Sequence, residues 1–352
     1  DQPMLQATWF GNCLRLPGGP SGGEIRDTRY VMFLSGWALD TSVYAERGGV
    51  SHVFLEMDGV VIKDTRGAFG TLGLLTKLKF GLVPAKRFVR LAFERHEGLP
   101  DCLDALRRHA DSGDADFIDG LALGPRSFVL CLGSFVDEAP YAHSYDWMRV
   151  YHKAVERREE DYLSTYDYFF RYDADCHWIS RNYGLENPVL RLLFGKLFLS
   201  STRMLSLARA MPFLSPRRPD VVVDVFVPID KVERFLGFYE REFGYYPLWI
   251  VPYRMPRPYP WIAEAYAPGD PAKLYLDIAI YGFRPRDSRD YYRLIEEELE
   301  ELGGIKTLIS HNRYSREEFW GIWNRENYDR VKRAVDPEGA FGDLYDKTHR
   351  HA

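Results

Sequence analysis

The sequence predicts an α+β protein built on a mixed or antiparallel sheet with helices packed on one face. The order strand, helix, strand, strand runs over residues 86–132 and recurs over residues 221–281, and two such halves draw a sheet backed by helices. The helical stretches carry apolar residues three and four apart, the spacing of a helix with one buried face. With 352 residues, 46% of them hydrophobic, there is ample apolar mass for a core and length for two domains.

Residues 1–66 give few signals. Gly18-Gly19-Pro20-Ser21-Gly22-Gly23 is a glycine-rich loop that matches neither dinucleotide nor P-loop spacing. Val53–Met57 and Val60–Ile62 read as a hairpin closed by Asp58-Gly59, a pair that tolerates positive φ. Gly67, Gly70 and Gly73 then recur at intervals of three, ahead of an apolar run over 74–83, which lets backbone approach either a ligand or a neighbouring strand.

The first half opens with a strand over Arg87–Phe93. Pro100–Ala110 has Cys102, Leu103 and Leu106 at helical spacing, and Phe117–Leu123 and Ser127–Leu132 are strands around Gly124-Pro125. In the second half, Val221–Val227 is a β-branched strand interrupted by Asp224 and Phe226. Asp230 is placed to cap a helix that buries Val232, Phe235, Leu236, Tyr239 and Phe243. Tyr245–Val251 and Lys273–Tyr281 are strands, and a helix from Asp287 or Ser288 buries Tyr291, Leu294, Ile295, Leu299 and Leu302 before Gly303-Gly304. Ile305–Ile309 is a further apolar strand, and Ser315-Arg316-Glu317-Glu318 is a capping box that opens a helix through Trp320 and Trp323. Between the halves, residues 145–218 read as a mostly helical insertion.

Composition bounds the chemistry. A net charge of -5 speaks against nucleic acid as a partner. The 23 Tyr, 22 Phe and 8 Trp suit large aromatic cores or a ring-walled pocket. Cys13, Cys102, Cys131 and Cys176 are too scattered for a zinc site or a disulfide framework, and the histidines lack metal-ligand spacing, so no metal is expected. Asp1-Gln2-Pro3 has no secretory character and no apolar run reaches membrane-spanning length, which points to the cytoplasm. Residues 189–214 mix Leu, Phe and Met with spaced cations, as a peripheral membrane contact or a pair of core helices would.

Several blocks in order carry a resemblance: Gly70-Thr71-Leu72-Gly73 with Val83–Leu91, Tyr166–Arg171 with Trp178, Asn187–Gly195, Asp224–Pro228, Tyr246–Trp249, Tyr275–Ile278, Arg316–Trp320 and Leu344–Lys347. Over roughly residues 67–350 the chain resembles the vanillyl-alcohol oxidase superfamily of FAD-linked oxidoreductases, and within it the delta-24-sterol reductase (diminuto/seladin) branch. The resemblance implies a PCMH-type FAD-binding domain, incomplete here over 1–85, and a substrate-binding cap domain over 86–320 with the 145–218 insertion. A C-terminal helical segment, 321–352, would return to the flavin domain. The implied activity is hydride exchange between FAD and a hydrophobic, sterol- or polyketide-like substrate. The alternative is a flavin-free descendant that binds a ligand or cyclises one. Gly67, Gly70, Thr71, Leu72 and Gly73 would lie against the cofactor.

His311, Asn312, Arg313 and Tyr314 follow the Ile305–Ile309 strand and are the catalytic candidates, together with Tyr166. His311 and Tyr314 are suited to move a proton; Asn312 and Arg313 are suited to orient an oxygen or the electron-rich edge of a flavin. Tyr166, Tyr168 and Phe170, on one face of a strand, would wall a pocket. Tyr168, Arg171, His177 and Asp277 are the substrate-binding candidates. Asp277, alone between apolar neighbours, either serves the site or pairs with an Arg.

Overall fold

The computed structural model describes residues 69–72, 83–200, 220–255, 259–267 and 269–349, with short strand segments before residue 64. Among those segments, Phe54–Met57 and Val60–Lys63 pair antiparallel, the hairpin expected around Asp58-Gly59.

The first half comprises β1 (Phe88–His96), α1 (Leu99–Ser112), β2 (Phe117–Gly124) and β3 (Ser127–Val136). Pro100 sits in the first turn of α1, where its missing N–H has no partner to lose, and Gly113 ends the helix at φ +64. The insertion follows with α2 (Tyr151–Arg157), β4 (Glu160–Ser164), α3 (Thr165–Phe169), a 3₁₀ turn over Ile179–Tyr183, and α4 (Pro188–Phe198). The second half comprises β5 (Val221–Pro228), α5 (Val232–Glu242), β6 (Leu248–Arg254), β7 (Leu274–Phe283), α6 (Tyr291–Leu302) and β8 (Ile305–Lys306). The chain closes with α7 (Arg316–Ile322), α8 (Arg325–Val335) and α9 (Leu344–His349).

One eight-stranded sheet runs in the order β4-β1-β3-β2-β6-β7-β5-β8, and every neighbouring pair is antiparallel. The expected mixed or antiparallel sheet is thus antiparallel throughout the described strands. Within each half the third strand lies between the first and second, and the second strands meet at β2–β6. The halves are therefore related by a local twofold through that junction.

Alternation along the strands sorts the residues between two faces. Val221, Val223, Val225 and Val227 of β5, with Leu274, Leu276, Ile278 and Ile280 of β7, face α1, α5 and α6 in one apolar core. These three helices share a face, as expected, but helices of the insertion and of the C-terminal segment cover the other face, so helices are not confined to one side of the sheet. Each fully buried side chain there, such as Phe235, Ile295 or Leu299, contributes about 1.5–3 kcal/mol.

The opposite face is covered as well. The insertion packs Tyr145, Tyr151, Tyr168, Tyr172 and Trp178 onto β1, β3 and β6, and the C-terminal helices pack Tyr314, Phe319, Ile322 and Tyr328 near Phe226 and Ile305.

Local departures have local causes. The strand expected over Tyr166–Phe170 is the helix α3, because the Ser164 hydroxyl accepts from Asp167 N at 3.0 Å and caps it. Tyr166 and Tyr168 therefore do not share a face: the first is exposed and the second buried. The insertion also supplies β4, an edge strand of the main sheet, and so is not wholly helical. Asp230 makes no cap for α5, whose first flanking residue is Lys231. Asp290, not Asp287 or Ser288, caps α6 by accepting from Tyr292 N and Arg293 N. The capping box at Ser315 and Glu318 forms as read, with both bonds made.

Candidate active site

The sheet face away from α1, α5 and α6 carries the polar residues. Trp249 of β6 lies opposite Ala279 of β7, which lies opposite Asp224 of β5; in the next row, Val251, Asp277 and Phe226 align in the same way. Asp277 thus has apolar neighbours on both sides, and Asp224 is its diagonal neighbour, near enough for the two side chains to interact.

The two carboxyl groups differ in what they touch. Asp224 is buried; Tyr281 Oη donates to its Oδ1, and Thr307 Oγ1 lies 3.5 Å from its Oδ2. Burial raises its pKa to about 6, against the lowering effect of those two hydroxyls. Asp277 is half-buried, its Oδ1 is sealed from solvent, and that oxygen has no hydrogen-bond partner among the described residues. Burial, and then the charge of Asp224, push the Asp277 carboxyl well above the ordinary range. The Arg partner that the sequence allowed for it does not form among the described residues.

His177 closes the site from the insertion. Its ring stacks on Tyr172 with centroids 4.9 Å apart and meets Tyr281 edge-on at 4.4 Å and Trp249 at 5.4 Å. The backbone turns to φ +64 at His177 after φ +46 at Cys176, which aims the ring inward. Burial, and then the nearby Arg171 charge, lower the imidazole pKa to about 3, so the ring is neutral at ordinary pH.

Arg171 is a wall of the site. Its Nη2 lies 2.9 Å from Asp119 Oδ2, Nη1 donates to Tyr168 O at 2.8 Å, and its guanidinium lies over Tyr168 and Tyr172 at 4.1 and 4.9 Å. Trp249 Nε1 donates to the same Asp119 oxygen at 2.7 Å. Removing one partner of such a buried pair costs about 3–5 kcal/mol. That fixes Arg171 and Tyr168 as supports for the rings rather than as free substrate contacts.

The catalytic candidates after β8 do not converge on one point. His311 packs edge-on to Tyr292 at 5.1 Å, Asn312 Nδ2 donates to Thr348 Oγ1 at 3.3 Å, and Arg313 Nε lies 2.7 Å from Asp290 Oδ2. Tyr314 is buried in the cluster with Phe226, and burial raises its hydroxyl pKa well above the ordinary value. A buried ion pair shapes this loop: Lys306 Nζ lies 3.1 Å from Glu296 Oε1 and donates to His311 O at 2.6 Å. Tyr166 lies on the surface against Phe170, with ring centroids 4.8 Å apart.

Of the cofactor candidates, Gly67 and Gly73 lie outside the described residues. Gly70 takes φ +74, and a Cβ there would meet nothing within 4 Å, so only the positive φ favours glycine at this exposed turn. Thr71 and Leu72 point the other way, buried toward the C-terminal helices, where Lys332 Nζ donates to Thr71 O at 2.6 Å. The side chains of the turn thus serve as anchors to the C-terminal helices.

Asp224, Tyr281, Trp249 and Asp119 were not singled out from sequence as site residues. A lone Asp in an apolar strand flags Asp224 as it flags Asp277, but their proximity depends on the β5–β7 register, which no local pattern encodes.

The described residues hold no cluster of His, Cys, Asp and Glu able to bind a metal ion, and no described helix is long and apolar enough to cross a membrane. No family model matches the chain. The chain is 26% identical over 302 residues to the Delta(24)-sterol reductases of Mus musculus and Homo sapiens, and 23% identical over 309 residues to the Delta(24)-sterol reductase homolog of Caenorhabditis elegans. Each match covers 80% of this chain and 57% of the relative, so the chain spans little more than half the length of these proteins. The chain is therefore similar to Delta(24)-sterol reductases over four fifths of its length, a similarity that supports the sterol-reductase branch of the FAD-binding oxidoreductases.

Proposed function

We propose that the protein is an FAD-dependent oxidoreductase that reduces a carbon–carbon double bond in a hydrophobic, sterol-like substrate, or runs the corresponding oxidation. The observation that carries this reading is the face at Asp277. An acid sits there among Trp249, Val251, Phe226 and Tyr281, with no cation paired to it among the described residues, and the nearby Arg171 is already held by Asp119. Such a surface favours an uncharged polycyclic substrate over an anionic one, because a carboxylate or phosphate would be buried without a counter-charge. The similarity to Delta(24)-sterol reductases supports the same class of substrate.

When bound, FAD would supply the hydride; the open backbone at Gly70 is where this chain would approach it. His177, neutral and ring-stacked, shapes the wall and excludes water. On this reading the apolar outer side of α4, where Val189, Leu192 and Leu193 are exposed, rests against a lipid surface from which the substrate is taken.

The test is direct. Purified protein is supplied with FAD, its visible spectrum recorded, and anaerobically reduced protein mixed with a sterol olefin. Reoxidation of the flavin with saturation of the olefin is the expected result. A folded, colourless protein that binds the sterol but acquires no flavin would sink the redox reading and favour the flavin-free alternative.

A further inference from the structure

We propose that Asp277 is the proton donor of this reaction and that Asp224, on the adjacent strand, is the positioned neighbour that keeps the proton on Asp277. The proposal rests on the oxidoreductase reading above and adds to it the group that supplies the second hydrogen.

The geometry decides which carboxyl holds the proton. Both oxygens of Asp224 face hydroxyl groups, Tyr281 Oη at Oδ1 and Thr307 Oγ1 at Oδ2. An acceptor-only arrangement of that kind favours the ionised form. Among the described residues Asp277 has no such partner. Its neighbours across the sheet are Val251 and Phe226, and along its own strand on the same face Tyr275 and Ala279. Two adjacent carboxyl groups in one buried site do not both ionise, so the charge settles on Asp224 and the proton on Asp277.

The remaining groups on this face do not disturb that assignment. Tyr281 and Tyr275 come from β7 and Tyr253 from β6, all phenols. The Arg171 guanidinium from the insertion is paired at 2.9 Å with Asp119 of β2, so the two charges offset each other. His177 and Cys176 come from the insertion; burial keeps the first neutral and raises the thiol of the second to about 12. The Lys306–Glu296 pair lies on the other side of the sheet, since Lys306 is opposite Val225, whose side chain faces the helices.

In the proposed step, one olefinic carbon accepts a hydride, with its electron pair, from the reduced flavin. The π electrons of the double bond form the second C–H bond with the Asp277 proton, and the O–H bond electrons stay on the carboxylate. The olefin is reduced by two electrons and the flavin oxidised by two. Asp277 regains its proton from water, to which it is half-open.

The test compares the protein with its Asp277→Asn and Asp224→Asn variants. Infrared difference spectra of protein labelled with ¹³C-aspartate should show a protonated carboxyl band at neutral pH that shifts in D₂O and is missing from Asp277→Asn. In turnover, Asp277→Asn should lower kcat by about 10²–10⁴-fold, the usual contribution of a positioned acid, with flavin content and substrate KM unchanged. Asp224→Asn removes the charge that holds the proton on Asp277, so the alkaline limb of its kcat profile should move to lower pH. Wild-type turnover by Asp277→Asn, or absence of the band from the wild-type protein, overturns the proposal. If the wild-type protein binds no flavin and reduces no olefin, the oxidoreductase reading fails and the donor role with it. The band then reports separately on whether the carboxyl pair is built as described.

Discussion

At the scale of single residues, the site combines two groups whose charges respond to pH in opposite senses. His177 is held neutral, with its pKa lowered from 6.5 to about 3. Between those values the unfolded chain binds a proton that the folded chain refuses, so stability falls as pH falls below about 6.5. The loss should reach about 2 kcal/mol at pH 5, from a cost of about 1.4 kcal/mol per unit. Asp277 has the reverse sign. Its raised folded-state pKa makes the unfolded chain the one that ionises first, so stability falls as pH rises above the ordinary carboxylate value. The two slopes oppose each other in mildly acidic solution, and single variants separate them. His177→Phe keeps a ring against Tyr172 and should flatten the acid limb in urea unfolding at pH 7 and pH 5. An unchanged acid limb would mean that His177 is protonated in the folded protein. The sequence marks Asp277 as a lone acid between apolar neighbours and groups His177 with Tyr168 and Arg171, but what sets their charge states is contacts that no sequence spacing reveals. Arg171, beside His177, arrives from the insertion bound to Asp119 of β2, 52 residues earlier.

At the scale of elements, α4 has its polarity turned around. Val189, Leu192 and Leu193 are 63%, 56% and 63% exposed, while Arg191 is buried. Arg191 makes a fork to Asp175, at 2.6 and 2.9 Å, and donates to Trp147 O, Leu185 O at 3.2 Å and Arg149 O at 3.1 Å. Five bonds of this kind satisfy a desolvated guanidinium and fix the insertion around it. Read from sequence, Arg191 is one of the spaced cations of a segment that is either a peripheral membrane contact or a pair of core helices, with its charged end in water in both. The structure buries it instead, because its partners Asp175, Arg149 and Trp147 lie 16, 42 and 44 residues away, beyond any helical period. The buried faces of α1 and α6, by contrast, were legible, and so were the glycines that close α6, since capping and amphipathicity are local. The exposed row on α4 belongs to the lipid-contact reading. Leu192→Lys with Leu193→Lys should leave the melting temperature nearly unchanged, because exposed positions usually matter by less than about 0.5 kcal/mol each. Sedimentation with neutral phosphatidylcholine vesicles should fall sharply. Retention equal to wild type would remove α4 from any membrane role.

At the scale of the whole molecule, the two halves hold together along one seam. β2 and β6 share only the pairs Leu248–Ala122, Trp249–Leu121 and Ile250–Gly120, yet the helix-side core crosses the seam from Leu106 and Leu130 to Ile250 and Ile278. The repetition of strand, helix, strand, strand was readable in the sequence; the meeting of second strand with second strand was not, because nothing local selects which edges join. Gly120 sits at that junction. A Cβ there would stand 2.8 Å from Val129 O and 3.1 Å from both Ile250 Cγ1 and Leu130 Cδ2. The backbone oxygen has no rotamer with which to yield, so the strands themselves must shift. Gly120→Ala should therefore destabilise by about 1–3 kcal/mol, the usual cost of overpacking a dense core. Because the core spans the seam, loosening it should lower the stability of both halves together. Far-UV circular dichroism, which averages over all elements, and the fluorescence of Trp249 in an otherwise Trp→Phe background should lose signal at the same, lowered denaturant concentration. If the two probes separated in Gly120→Ala, the halves would be independent folding units that merely touch. The carboxyl pair, which lies wholly on β5 and β7, would then survive the unfolding of the first half.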